Sequence, residues 1–415
     1  MNMRVCFLSA LAMGLSSFAL ADWPGYRGTD NQGVAQIATA PETLAAADLK
    51  ELWRVPLGAS FGQFAVVGNN ALVFVERGED EFVSCMDAKT GKELWATRID
   101  KSIKEGNGNG PRSTPTIDGG RVYVYGTYRK LACLDLATGK ILWQHDILAE
   151  FAGSAQAGLG PWGSAASPTI VEDKVIVVGG GKGHGIVAFD KTTGQLAWAA
   201  TDETLTHATS TVATIAGQKQ VICFMTSGLV SVDPATGKVL WRFAHKFNTS
   251  TAASPVVGGK NGDIVYCSAG YGVGAAACRV TKEGETWTAT KLWATPGKSQ
   301  NHWSTPVYLD GYVYGLFGHN ADKGPLACVD IETGEVKWSQ AGFGSQGGIT
   351  RLGDKLLVQT PKGELVLVPA DPAAYKELGR VPEFKGKNWT APAVSDGKIY
   401  ARSDTEGACF ELGAK

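Results

Sequence analysis

Ten side chains able to bind ligands or move protons occupy equivalent places along the chain: Gln63, Arg112, Trp162, His207, Asn301, His302, Trp303, Gln346, Asn388 and Trp389. Asn248 and Thr249 stand at a further such place. Each lies just before a short run of β-type residues that opens a repeated unit. Indole faces beside amide and imidazole groups suit a flat or polyhydroxylated ligand, a quinone or a sugar. Arg112 has the planar fork that holds a carboxylate through two bonds. His207 and His302 titrate near neutral pH, which makes them candidate general bases. The competing reading is structural, in which these groups plug a channel and hydrogen-bond to one another and to water.

Other chemistry is absent. No H-E-x-x-H, G-x-S-x-G, EF-hand or zinc-knuckle spacing occurs. The run GGGKGHG (179–185) looks like a phosphate loop but joins two strands, not a strand and a helix. His184 and His319 lie in Gly-rich hairpin loops with no evident partner and receive no role. No catalytic residue and no metal ligand is assigned.

The elements that position the ten residues come from a repeat. D-x-x-T-G-x-x-x-W occurs five times, ending at Trp95, Trp143, Trp198, Trp241 and Trp338. Degenerate copies end at Trp53, Trp293 and Leu378, and successive points lie roughly 40 to 55 residues apart. That period is one four-stranded propeller blade. Within a unit, an S-x-P-type run opens the first strand, as in STPTI (113–117). An alternating strand follows, then a short strand ending in Asp, a T-G turn and a strand carrying the Trp. Asp and Thr bond the turn backbone and Gly takes the positive φ. The seven Trp are read as wedges between blades, against the alternative of a binding stripe.

Counting gives closure. Seven full intervals run from Trp53 to Leu378, and the tail supplies three strands without a fourth. Residues 51–55 provide the missing outer strand. The expected fold is all-β: one eight-bladed β-propeller with four-stranded antiparallel blades, closed by N- and C-terminal strands sharing one blade. Residues 22–415 form this single domain, and 22–48 are an extension packed on the ring.

Composition agrees. Gly numbers 53, Trp 12, charged residues are 19% and net charge is −1. This mix suits short strands and tight turns, and excludes a coiled coil. Near-zero charge gives nucleic acid no electrostatic hold. Residues 1–21 read as a signal peptide, with a basic Arg4, an apolar stretch and A-L-A before Asp22. No later run is long and apolar enough for a transmembrane segment. The residue after the cut is Asp rather than Cys, so no lipid anchor is indicated. The expected location is periplasmic or secreted. Seven Cys remain, and their places in successive repeats suit small core residues. Cys267 and Cys278 flank one hairpin, and a disulfide between them stays open.

These repeats resemble the tryptophan-docking repeats of eight-bladed quinoprotein alcohol dehydrogenases, and equally the periplasmic propeller of the outer-membrane protein assembly machine. The runs DWPGYRG (22–28), AGYGVGAA (269–276), NHWS (301–304) and NWTAP (388–392) look like those of bacterial PQQ-binding-like β-propeller repeat proteins. The resemblance implies an exported binding or scaffold protein of the cell envelope, holding an envelope protein or a small ligand such as a sugar or quinone. The alternative it carries is an oxidoreductase using pyrroloquinoline quinone with calcium on alcohols or sugars, or another sugar-active enzyme at the channel rim. Such dehydrogenases carry adjacent Cys and a Glu, Asn and Asp calcium set; this chain has no Cys-Cys pair, no evident carboxylate set and no C-x-x-C-H haem site. The binding reading therefore comes first.

Overall fold

The computed structural model describes residues 22–151, 162–204, 206–249, 251–320 and 322–412. Eight sheets follow one another along the chain, each with four antiparallel strands. Blade 1 holds Ala65–Val67, Asn70–Arg77, Asp80–Asp87 and Glu93–Lys101. Blades 2 to 7 repeat that order, opening at Thr116, Thr169, Thr211, Val256, Val307 and Gly348. Blade 8 takes Ala393–Ser395, Lys398–Arg402 and Glu406–Leu412 from the C-terminus and Leu49–Pro56 from the N-terminus. Leu49 to Pro56 pair antiparallel with Leu412 to Glu406, which closes the ring as the strand count requires.

The repeat motif explains the contacts between blades. In each turn the Asp carboxylate accepts bonds from the backbone N–H two or three residues on; Asp87 takes them from Lys89 and Thr90 and also accepts from the Thr90 hydroxyl. One residue ahead of each docking Trp the pairing register shifts, as between Ile141 and Trp143. The bulge turns the indole toward the next blade. There the T-G glycine lies flat beneath it. A Cβ on Gly139 would stand 2.4 Å from the Trp95 ring, and one on Gly91 2.8 Å from Trp53. Both glycines have φ of +71°, so the position needs Gly for backbone and for space. Several of these indoles donate their N–H to a carbonyl of that neighbour, among them Trp53 to Ala88, Trp95 to Leu136 and Trp198 to Pro234, each at 2.9 Å.

Blade 5 lacks the T-G turn, and Trp241 turns to its own blade instead, donating to the Gln220 side chain at 2.7 Å. Cys85, Cys133, Cys328 and Cys409 sit opposite Trp95, Trp143, Trp338 and Trp53 across the sheet. All seven described cysteines are buried and free. Cys267 faces Ala276 and Cys278 faces Val265, so the register does not set them opposite each other.

The S-x-P runs build the inner wall. The Gln63 N–H donates to the Thr114 hydroxyl, Thr114 N–H to Ser167 and Ser167 N–H to Thr209, blade to blade. Thr116 donates to the Pro168 carbonyl of the next blade, and Thr211 to that of Pro255.

Residues 22–48 were expected as an extension packed on the ring, and residues 23–35 cross its central channel. Trp23 bridges Val66 of blade 1, and Ile117 N–H of blade 2 donates to Pro24. Asn31 donates to Ser210 of blade 4. Val34–Ala35 runs parallel beside Arg351 and Leu352, adding a fifth strand to blade 7. Arg27 anchors this segment. Its N–H donates to Gln63, and its guanidinium donates to the carbonyls of Asn31, Gln32, Thr305 and Pro306. Burial lowers its pKa to about 10.

Candidate functional site

Above the crossing segment the channel opens into a cavity of about 190 Å³ floored by Tyr26 and Arg27. Its wall comes from the loops that lead into the inner strands, the end where the sequence places the ten candidates. Gln63, Arg112, Trp162, His207, His302, Trp303 and Trp389 line it.

The wall is largely an aromatic arc. Arg112 lies over Phe61, 5.6 Å from its centroid. Phe61 stacks on Trp389 at 5.2 Å, and Trp389 meets Trp303 at 5.3 Å. Trp303 meets His302 at 4.4 Å, and Tyr271 closes the arc edge-on to His302 at 4.9 Å. Trp162 packs edge-on to His207 at 6.3 Å. The rim backbone holds these rings in register: His207 N–H donates to Thr251, and Ala252 and Ala253 N–H donate to the His302 carbonyl. Gly270 lets His302 seat, since a Cβ there would lie 3.1 Å from the ring.

Electrostatically, Arg112 and Glu105 offset each other, while Arg27 in the floor bonds only backbone carbonyls and keeps its charge. Arg112 pairs with Glu105 and also donates to the carbonyls of Gly108 and Gly110. Its fork is therefore engaged rather than open to a ligand carboxylate. Burial lowers the Arg112 pKa against the raising effect of Glu105. Burial also drives the imidazoles down, His207 to about 4 and His302 to about 3, with nearby Arg112 adding to the first and His319 to the second. Both are neutral at pH 7, and among the described residues neither has a carboxylate partner that would make it a strong base.

Three candidates do not reach the cavity. Asn301 is fully buried, accepting from Tyr266 at 2.6 Å and donating to Leu316 at 2.7 Å. Asn388 accepts from Gln359 and donates to Gly386. Gln346 sits one residue before the lining run Gly347 to Ile349 and offers the site only its backbone, whose carbonyl accepts from the Trp303 indole at 3.3 Å. The two Asn serve the framework, which residue type and position do not distinguish from ligand contact. Sequence reasoning passed over Phe61, Glu105, Tyr271, Tyr26 and Arg27. Tyr271 and the pair Tyr26 and Arg27 stood in family-like runs; Phe61 and Glu105 carried no signal. His319, given no role, packs against Tyr271 at 4.1 Å and His302 at 4.6 Å.

Comparison with known proteins places this geometry. The profile of a family described as outer membrane protein assembly factor BamB matches residues 40–109 and 83–340. The BamB of Burkholderia pseudomallei (strain K96243) is 25% identical over 302 residues, covering 70% of this chain and 69% of that protein. Among solved structures, the BamB of Moraxella catarrhalis superposes with a TM-score of 0.62 at 18% identity, over 88% of this chain and 100% of that one. The quinohemoprotein alcohol dehydrogenase of Comamonas testosteroni gives 0.67 at 15% identity, over 95% and 81%. At such identities the two structures speak for the fold alone.

Proposed function

The chain belongs to the family of the outer membrane protein assembly factor BamB, and from that premise we propose that it is an exported propeller serving as a scaffold in the cell envelope. The observation that carries this reading is the family match over residues 40–340, which spans blades 1 to 6 and the N-terminal strand of blade 8. A ring whose blades are bonded all round, with its channel crossed by its own chain, offers rigid loops to partners at little ordering cost. The periplasm is the proposed location. Among the described residues no helix is long and apolar enough to cross a membrane.

The test is deletion of the gene in its source bacterium, followed by measurement of outer-membrane protein content. Loss of assembled outer-membrane proteins, restored by the full chain but not by a chain lacking residues 1–21, is expected. Unchanged content in the deletion strain would overturn the reading. N-terminal sequencing of the exported protein should begin at Asp22.

The oxidoreductase alternative finds less support in the cavity. Glu105 is its one carboxylate among the described lining residues, and it is paired to Arg112. Among the described residues no group of three or more His, Cys, Asp or Glu can hold a metal. These side chains do not fit a calcium-bound quinone.

A further inference from the structure

We propose that the channel-mouth cavity binds a neutral pyranose sugar, a site that neither depends on the scaffold reading nor follows from it. Three independent features of the cavity converge on that chemistry. The first is apolar surface: Phe61, Trp389 and Trp303 stack on one another into a continuous aromatic wall that lines the cavity, against which the C–H groups of a sugar ring pack. The second is charge. Arg27 directs its guanidinium at backbone carbonyls, and Arg112 and Glu105 neutralise each other. An anionic ligand would find no uncommitted lining cation among the described residues, while a neutral one loses nothing.

The third feature is unanswered hydrogen-bonding capacity. His207 and His302 are each 7% exposed and line the cavity. Among the described residues, neither His207 ring nitrogen, nor Nδ1 of His302, nor Oγ of Ser304, has a protein partner. Buried polar atoms without partners are costly and uncommon. A neutral imidazole carries one donor and one acceptor, and a serine hydroxyl does both. A sugar hydroxyl also donates and accepts, so it matches these groups, whereas an ether, a ketone or a carboxylate matches half of them. Because Tyr26 and Arg27 close the floor, the ligand enters from the rim and one ring fills the site.

The experiment titrates the purified exported protein with glucose, galactose, mannose, N-acetylglucosamine and maltotriose, by calorimetry and by indole fluorescence. Saturable binding of any of these with a Kd of about 1 mM or tighter is expected. A response to monosaccharides marks a free-sugar site; a response to maltotriose alone marks a site for the end of a glycan, and both support the proposal. Trp389→Ala and His207→Leu should each weaken binding by about tenfold or more, while Trp389→Phe, which keeps a stacking face and a filled wall, should stay within about threefold. Absence of saturable binding by the unaltered protein overturns the proposal, as does binding that neither Trp389→Ala nor His207→Leu changes, or binding of pyrroloquinoline quinone with none of the sugars.

Discussion

Arg27 stands in the middle of the molecule and answers backbone carbonyls from two blade 6 residues and from its own loop. Replacing it with Met leaves those carbonyls buried and unmatched. Arg27→Met should therefore cost about 2–4 kcal/mol, read as a lower midpoint in urea. The buried titratable groups give opposite pH signatures. His207 is held near 4 against an ordinary 6.5, so the folded state binds fewer protons than the unfolded one between those values. Its contribution is complete above pH 6.5 and is lost as pH falls toward 4. Glu81 is fully buried and raised to about 7 from 4.5 by desolvation, against bonds from Thr127. Its contribution is complete below pH 4.5 and is lost as pH rises to 7. Stability profiles should show His207→Gln flattening the acid limb and Glu81→Gln flattening the stretch from 4.5 to 7. At this scale the sequence was partly readable. Position in the repeat put seven candidates around the cavity, yet Asn301 bonds Tyr266 and Leu316 on strands of blades 5 and 6, and Asn388 bonds Gln359 and Gly386, because one amide serves the framework or a ligand equally well and only side-chain direction separates the two.

At the scale of the element, the Trp of one blade and the T-G glycine of the next form one joint. Gly139→Ala asks for a Cβ 2.4 Å from Trp95 on a backbone at φ +71°. It should destabilise by about 2–3 kcal/mol, and a Trp95→Ala background should reduce that cost, since the steric part disappears while the backbone part stays. A double-mutant cycle in denaturant measures this. These joints were legible because Asp, Thr, Gly and Trp interact over a few residues within one turn and across one fixed interface, and the pattern recurs. Blade 5 shows where that legibility ends. Without the T-G pair, Gln220 supplies the acceptor for Trp241 from the same sheet and also accepts from Ser231, a substitution of partner that no local motif announces.

For the whole molecule, the count of repeats was enough to place Leu49–Pro56 in the last blade, because an unpaired outer edge in a ring has one remaining partner. The path of residues 23–35 was not readable. Most of its bonds go to main-chain atoms on blades 1, 2, 4, 6 and 7, and backbone groups leave no signature in side-chain spacing. The two N-terminal pieces should differ on removal. Deleting 22–56 strips blade 8 of its outer strand as well and should yield an aggregating chain, whereas deleting 22–35 should leave a folded ring of lower melting temperature. Size-exclusion chromatography and thermal melts distinguish these outcomes.

The crossing segment also orders events in time. A polypeptide is synthesised amino end first, so residues 23–35 arrive before any wall that will surround them exists. Their neighbours on blades 6 and 7 come 279 to 317 positions later, and the sheet that seals the circle waits for Leu412. Assembly therefore cannot finish by stacking blades as they appear. The leading stretch must stay accessible until the last blade has formed.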